Sequence, residues 1–136
     1  MKIQIKEYKK YRAGEILPLY EAAEWHNYTD RPEMLANAYT SSLRILAAYD
    51  GEKLVGIIRA VGDGASVVLV QDLIVLPEYR RRGIGTKLVG TLFSLYRGCY
   101  QKLLFTDASP VTEHFYRSVG LYPVEEFGCK AYFRTY

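Results

Sequence analysis

Cysteine is scarce in this chain. Cys99 and Cys129 are the only two. They have no companions at ligand spacing, so they suggest neither a zinc knuckle nor a cysteine framework, and both are expected to be reduced thiols. Histidine is equally sparse, and neither His26 nor His114 has a partner at metal-binding spacing. No metal is therefore expected. Apolar runs such as "VVLV" are far too short to span a bilayer. The opening "MKIQIKEYKK" alternates apolar and charged residues like a strand, unlike a leader or an anchor. A cytoplasmic protein with no membrane partner is expected. The net charge of +3 is too small to announce a nucleic-acid binder. The chain has no repeat, low-complexity tract or linker.

What remains is ordinary globular material. Hydrophobic residues make up 49% of the 136 and charged ones 24%. That length suits a single domain, 1–136, with a real core. "KIQIKEY" reads as a first strand. "AGEILPLYEAAEW" and "RPEMLANAYTSS" read as short helices, the second capped by Asp30 with Pro32 just inside. "HNYTD" between them reads as a polar loop. "RILAAYD" and "KLVGIIRA" read as strands joined through Asp50-Gly51, and "GDGAS" as another turn. "VVLVQDLIVL" has the near-continuous apolar character of a strand buried on both faces.

Next, Ile84, Leu88, Val89, Leu92, Phe93 and Tyr96 share one helix face. "KLLFT" is then a strand, parallel to its predecessor through a crossover helix. "SPVTEHFYRSVG" is a helix with Ser109 as cap, Pro110 at its first position and Gly120 as its stop. "YPVEEFGCKAYFRTY" reads as closing strand material. The sum is an α/β protein with an antiparallel front and a parallel centre.

One stretch concentrates chemistry: "LPEYRRRGIGTKL". A helix N-terminus offers unpaired N–H groups and partial positive charge. Gly83 and Gly85 let a backbone approach a ligand closely, and Arg80, Arg81 and Arg82 add forked cationic donors. These are the parts of a pyrophosphate cradle. The P-loop pattern fails because Thr86 separates Gly85 from Lys87. The dinucleotide fingerprint fails because Leu88 stands where its third glycine belongs. A merely basic, solvated turn is the plain alternative.

The pattern Arg80-x-x-Gly83-x-Gly85 after "LIVLP" resembles the acetyl-CoA motif of the GNAT N-acetyltransferase family. "HFYRSVGLYP" resembles that family's second signature, and the element order matches over essentially the whole chain. The resemblance implies a mixed, largely antiparallel sheet with a splayed parallel central pair and helices on both faces. It implies that backbone groups from Arg80 through Thr86, including Ile84, hold the pyrophosphate of acetyl-CoA. Leu73, Ile74 and Val75 would pair with the pantetheine arm as an added strand would. Ser109 would contact that arm where many members carry Asn. Tyr116 matches the family's usual general acid, protonated at neutral pH and able to donate to the departing thiolate. A packing tyrosine is its plain alternative.

Asp72 is an oddity of another kind, a carboxylate in an apolar strand beside Gln71. Burial of such a group is costly unless it is paired, and makes it a candidate general base for an amine. An Asp satisfied by backbone N–H groups at a bulge is the alternative, and bulk water could serve as base. By the same resemblance, the first two helices and "HNYTD" line the acceptor side. Trp25 and Tyr28 offer ring faces to a cation, and Glu21, Glu24, Asp30 and Glu33 give negative bias. The expected activity is direct acetyl transfer to a small primary amine by a monomer or homodimer. The alternatives are a protein or peptide amine acceptor, or a non-catalytic module binding CoA or phosphate.

Overall fold

The computed structural model describes residues 2–136. The chain forms two compact units, Met1–Phe105 and Thr106–Tyr136. In the first, β1 (Ile3–Glu7), β2 (Arg44–Asp50), β3 (Lys53–Gly62), β4 (Val67–Val75) and β5 (Gln101–Leu104) make one sheet in that order. The first four pair antiparallel, and β5 runs parallel to β4. Helices α1 (Ala13–Ala22), α2 (His26–Thr29) and α3 (Pro32–Thr40) link β1 to β2, and α4 (Ile84–Leu95) crosses from β4 to β5.

Strand β3 is buried from Leu54 through Ala60 because helices cover both of its faces. On one face Gly56 lets α4 approach. A Cβ there would lie 3.3 Å from Leu88 and 3.3 Å from the Ile74 carbonyl oxygen. Along α4, Ile84, Leu88, Val89 and Leu92 supply the buried stripe. Three residues on from Gly56, and so on the other face, Arg59 lies under the Tyr39 ring of α3, with its guanidinium carbon 5.6 Å from the centroid.

The expected "HNYTD" loop is the helical turn α2. Asp30 closes α2, and Arg31, with no side-chain cap bond, precedes α3. Asp30 is therefore not the N-cap of α3. Its backbone N–H is taken by the His26 carbonyl, which keeps it helical, whereas an N-cap needs extended geometry. Upstream, α1 ends in a Schellman arrangement. Trp25 N–H donates to the Tyr20 carbonyl and Glu24 N–H to that of Glu21. Glu24 occupies the left-handed position with φ +62°, where glycine is usual.

Strand β4 corrects a second expectation. Val68, Val70, Asp72 and Ile74 are buried, but Gln71 is exposed and the alternating residues are half-buried. The strand is thus well covered on one side only. Its ladder with β5 runs from Val67↔Gln101 to Val70↔Leu104 and stops there. The ladder with β3 skips a residue at this point: Arg59 faces Asp72 while Ala60 faces Val70, leaving Gln71 as the extra residue of a bulge.

In the second unit, α5 (Pro110–Ser118) begins as its sequence predicts. Ser109 caps it by accepting from Thr112 N–H, and Pro110 follows. It ends in another Schellman motif: Leu121 N–H donates to the Tyr116 carbonyl, and Gly120 N–H to that of Arg117. The closing strand does not form. Val124–Phe127 is a 3-10 turn, and Cys129 to Tyr136 is exposed and irregular. Strand propensity expresses itself only through packing against neighbours in a sheet, and this segment joins none. β5 is accordingly one of the sheet's two edge strands.

Buried phenols make the first unit sensitive to alkali. Burial is the largest cause raising Tyr20, Tyr39 and Tyr8 well above the usual tyrosine range. The folded state therefore prefers the protonated form. This contribution is fully present below the unfolded value of ~10 and is lost as pH rises beyond it. The melting temperature should fall from about pH 10 upward, with tyrosinate absorbance of these residues appearing together with loss of far-UV dichroism. Smooth ionisation of all the tyrosines ahead of unfolding would contradict this.

Candidate active site

After β4 the chain makes a short 3-10 turn, Pro77–Tyr79, and enters the arginine loop. Tyr79 anchors this turn. Its hydroxyl donates to Asp50 Oδ2 at 2.6 Å, and the Arg82 guanidinium lies 5.3 Å from its ring centroid. Arg80 folds back, with Nε donating to the Val75 carbonyl at 3.2 Å. Arg81 has φ +62° and Gly83 φ +78°, so two left-handed residues alternate along the loop. Such alternation turns successive N–H groups into one concavity, an anion nest. Gly83 is the N-cap of α4, and no side chain caps that end. A Cβ on Gly83 would meet nothing within 4 Å, so the space in front of the loop is open. Arg80, Arg81 and Arg82 are exposed, whereas the Ile84 side chain is buried in the core. Ile84 can therefore offer a ligand only its backbone.

The strand leading into this loop has a free edge. Beyond Val70, β4 pairs only with β3, so alternate N–H and C=O groups of Gln71 to Val75 point away from any strand. Leu73, Ile74 and Val75 lie in this stretch. Backbone groups so placed accept an extended, amide-bearing arm as a further strand would be accepted. An anion nest and a free strand edge, joined by one turn, fit a pyrophosphate carrying such an arm.

Asp72 is 2% exposed and Arg59, directly across the ladder, 3%. Arg59 Nε donates to Asp72 Oδ2 at 2.7 Å, and the Tyr20 hydroxyl donates to the same oxygen at 2.6 Å. Tyr20 and Tyr39 hydroxyls lie 2.9 Å apart. Since Tyr20 spends its proton on Asp72, Tyr39 is the donor between them. The second guanidinium arm reaches Ser42 Oγ at 3.3 Å. Burial opposes the charge of Arg59, but Asp72 outweighs it and holds the guanidinium above its usual range. Side chains, not backbone N–H groups, satisfy this carboxylate. Its other oxygen, Oδ1, is buried and has no partner among the described residues.

Rings surround the pair. The Tyr20 centroid lies 5.1 Å from that of Tyr28 and 5.9 Å from that of Trp25, and Trp25 and Tyr28 are 6.1 Å apart. Trp25 and Tyr28 are half-buried. Glu21, Glu24, Asp30 and Glu33, near them in sequence, are exposed. The Schellman turn at Glu24 is what swings Trp25 back against Tyr20.

In the second unit, Tyr116 is half-buried and stacks edge-on with Phe115, centroids 5.0 Å apart. Burial, helped by the Asp107 charge, pushes its phenol up to about 12. It is protonated throughout the neutral range. Ser109 is occupied with capping. Its hydroxyl accepts from Thr112 N–H at 3.2 Å and donates to Thr112 Oγ1 at 2.8 Å. Arg59, Tyr20, Tyr39 and Tyr79 were not among the sequence candidates. The signal for Arg59 was its isolation in the apolar "KLVGIIRA", mirroring Asp72 in the next strand. No cluster suited to a metal occurs among the described residues.

The family model of the acetyltransferase (GNAT) domain matches residues 41–120, which hold both the arginine loop and the whole of α5. The chain belongs to the GNAT acetyltransferases. It is an N-acetyltransferase of a family whose acetyl donor is acetyl-CoA. A GNAT-family acetyltransferase from Streptococcus pneumoniae has a similar structure at 39% identity and TM-score 0.91, covering 99% of this chain and 98% of that one. An aminoglycoside acetyltransferase from an uncultured soil metagenomic sample, solved with trehalose, shares the GNAT fold at 20% identity and TM-score 0.77 over 98% and 96% of the chains. So does AAC(6')-Iy, solved with a bisubstrate analogue of CoA, at 17% identity and TM-score 0.72 over 100% and 99%. No curated protein matches the chain. No helix among the described residues is long and apolar enough to cross a membrane. Within this GNAT chain, the free edge of β4 and the nest before α4 are the structural features that suit the family's donor.

Proposed function

We propose that this acetyltransferase moves an acetyl group directly from acetyl-CoA to the primary amine of a small molecule. The observation that carries the reading is the continuity of the free β4 edge with the uncapped, left-handed loop before α4. Acetyl-CoA supplies an activated acetyl thioester. The N–H groups from Arg81 to Thr86 and the Arg80, Arg81 and Arg82 guanidiniums hold the pyrophosphate. Leu73, Ile74 and Val75 hydrogen-bond the arm, and Ser109, by the family resemblance, contacts it. Trp25 and Tyr28 offer ring faces to the acceptor, Asp72 receives its proton, and Tyr116 donates to the departing thiolate. A small cationic acceptor is supported by the half-buried rings and by the four exposed carboxylates near them in sequence.

A thiol-release assay over small primary amines and a lysine peptide tests this. Transfer to a small amine, with no acetylated enzyme by intact mass, is the expected result. Donor binding without any transfer would leave a CoA-binding module instead. Gly83→Trp should abolish acetyl-CoA binding in calorimetry, because the indole fills the open space before the loop and the residue resists φ +78°. Unchanged far-UV dichroism should show that the sheet persists. Wild-type affinity in this variant would remove the loop from the donor site.

A further inference from the structure

Two groups with unused hydrogen-bonding capacity belong to the cluster around Tyr20, Asp72 and Tyr28. Asp72 Oδ1 is buried and lacks a donor, while Oδ2 already takes both Arg59 and Tyr20. Tyr28 is the complement. Its oxygen accepts from Gln71 Nε2 at 3.5 Å, which leaves its own proton to donate. The bulge at Gln71 explains the meeting. In a regular strand Gln71 and Asp72 would point to opposite faces, but the extra residue re-aims one of them. Gln71 thereby reaches Tyr28 while Asp72 reaches Tyr20, whose ring packs on Tyr28 at 5.1 Å. Asp72 also acts on the Tyr28 phenol: burial is the largest cause raising it, and the Asp72 charge adds in the same direction, against the Gln71 hydrogen bond and the Arg59 charge.

Sealing matters here. Oδ1 is closed off from solvent, so an acceptor amine has no direct access to it. Tyr28 is half-buried, so part of it is open to solvent while its ring packs on Tyr20.

We propose that Tyr28 is a catalytic proton relay, its hydroxyl carrying a proton from the acceptor's ammonium nitrogen to Asp72 Oδ1. This rests on the acetyltransferase reading and deepens it. The nitrogen loses one proton to the phenol oxygen as the phenol's own O–H proton passes to Oδ1. Tyr28 ends unchanged, Asp72 ends as the carboxylic acid, and the nitrogen is left with a free lone pair. The Arg59 and Tyr20 bonds to Oδ2 persist throughout. After turnover the proton leaves Oδ1 by the same path, so one proton is released per acetylation. The groups facing Asp72 are Arg59 from β3, Tyr20 from α1 and Tyr28 from α2, with Tyr39 from α3 one bond further through Tyr20.

The experiment is Tyr28→Phe, which keeps the ring and removes the hydroxyl. With an amine that the wild-type chain acetylates, kcat should fall by about 10²-fold, the lower end for proton-transfer catalysis. KM for the amine should stay within a few-fold, because the ring face is retained. The double variant Tyr28→Phe/Asp72→Asn should be no slower than the worse single variant, as expected for two members of one chain. A readout without donor or acceptor accompanies these rates. With the tyrosine Cζ carbons labelled, the Tyr28 resonance should titrate at lower pH in Asp72→Asn than in wild type. Full turnover in Tyr28→Phe, additive losses, or identical Tyr28 titration in the two proteins would overturn the relay alone. Absence of transfer by the wild-type chain would overturn the acetyltransferase reading and the relay with it.

Discussion

Arg59→Met should be among the most destabilising single substitutions in the protein, costing about 3–5 kcal/mol. The cost lies less in the lost contact than in what is left behind. Asp72 is 2% exposed, and without Arg59 its only donor is Tyr20. A buried carboxylate stripped of its cation has no water to turn to. At this size the melting temperature should drop by roughly 10 °C or more. Replacing both partners, as in Arg59→Met/Asp72→Leu, should restore most of the stability, because two packed apolar side chains need no pairing. The double variant should nonetheless lose acetyl transfer. Thermal and denaturant melts of the three proteins decide the matter. A loss below about 1 kcal/mol for Arg59→Met would mean that the pair is solvated and behaves as a surface bridge.

Tyr116→Phe should carry a large kinetic effect at intact stability. Turnover should fall by about 10²-fold, with the acetyl-CoA dissociation constant little changed. The Tyr116 phenol is pushed up to about 12 by burial and then by the Asp107 charge. A phenol held in its acid form enters the reaction carrying the proton that the departing thiolate takes. The raised value also sets a pH expectation. Loss of the acid form cannot depress kcat until well above pH ~10, so an alkaline limb near neutrality would have to come from another group. Wild-type turnover in Tyr116→Phe would leave the residue a packing tyrosine.

How much of this was legible depends on how far each interaction reaches along the chain. The ends of α5 were legible because Ser109, Pro110 and Gly120 act within one helical turn of themselves. So was the start of α4 just after the arginines, where Gly83 is the N-cap. The α1–α2 corner was not. Its left-handed residue is Glu24, and nothing local says that a glutamate will take a glycine's place; the Trp25–Tyr20 contact that accompanies the turn comes from the fold around it. The C-terminal aromatics misled for the opposite reason, since strand propensity expresses itself only against neighbours in a sheet.

Asp72 shows where the boundary lies. Its oddness is plain in "VVLVQDLIVL", because a carboxylate among apolar residues breaks the pattern that surrounds it. Its meaning is not, because Arg59 is brought opposite by the β3–β4 register, Tyr20 by the packing of α1, and Tyr28 by a one-residue bulge at Gln71. Residue order along the chain determined the family and the order of the elements from β1 through α5 apart from α2, since these rest on neighbours in sequence and on simple periodicity. Only the folded chain decided which oxygen of Asp72 is saturated and which is left open, because that depends on side chains from four separate elements meeting within hydrogen-bond reach, and a slip of one residue in the ladder would have sent Asp72 to the other face of the sheet.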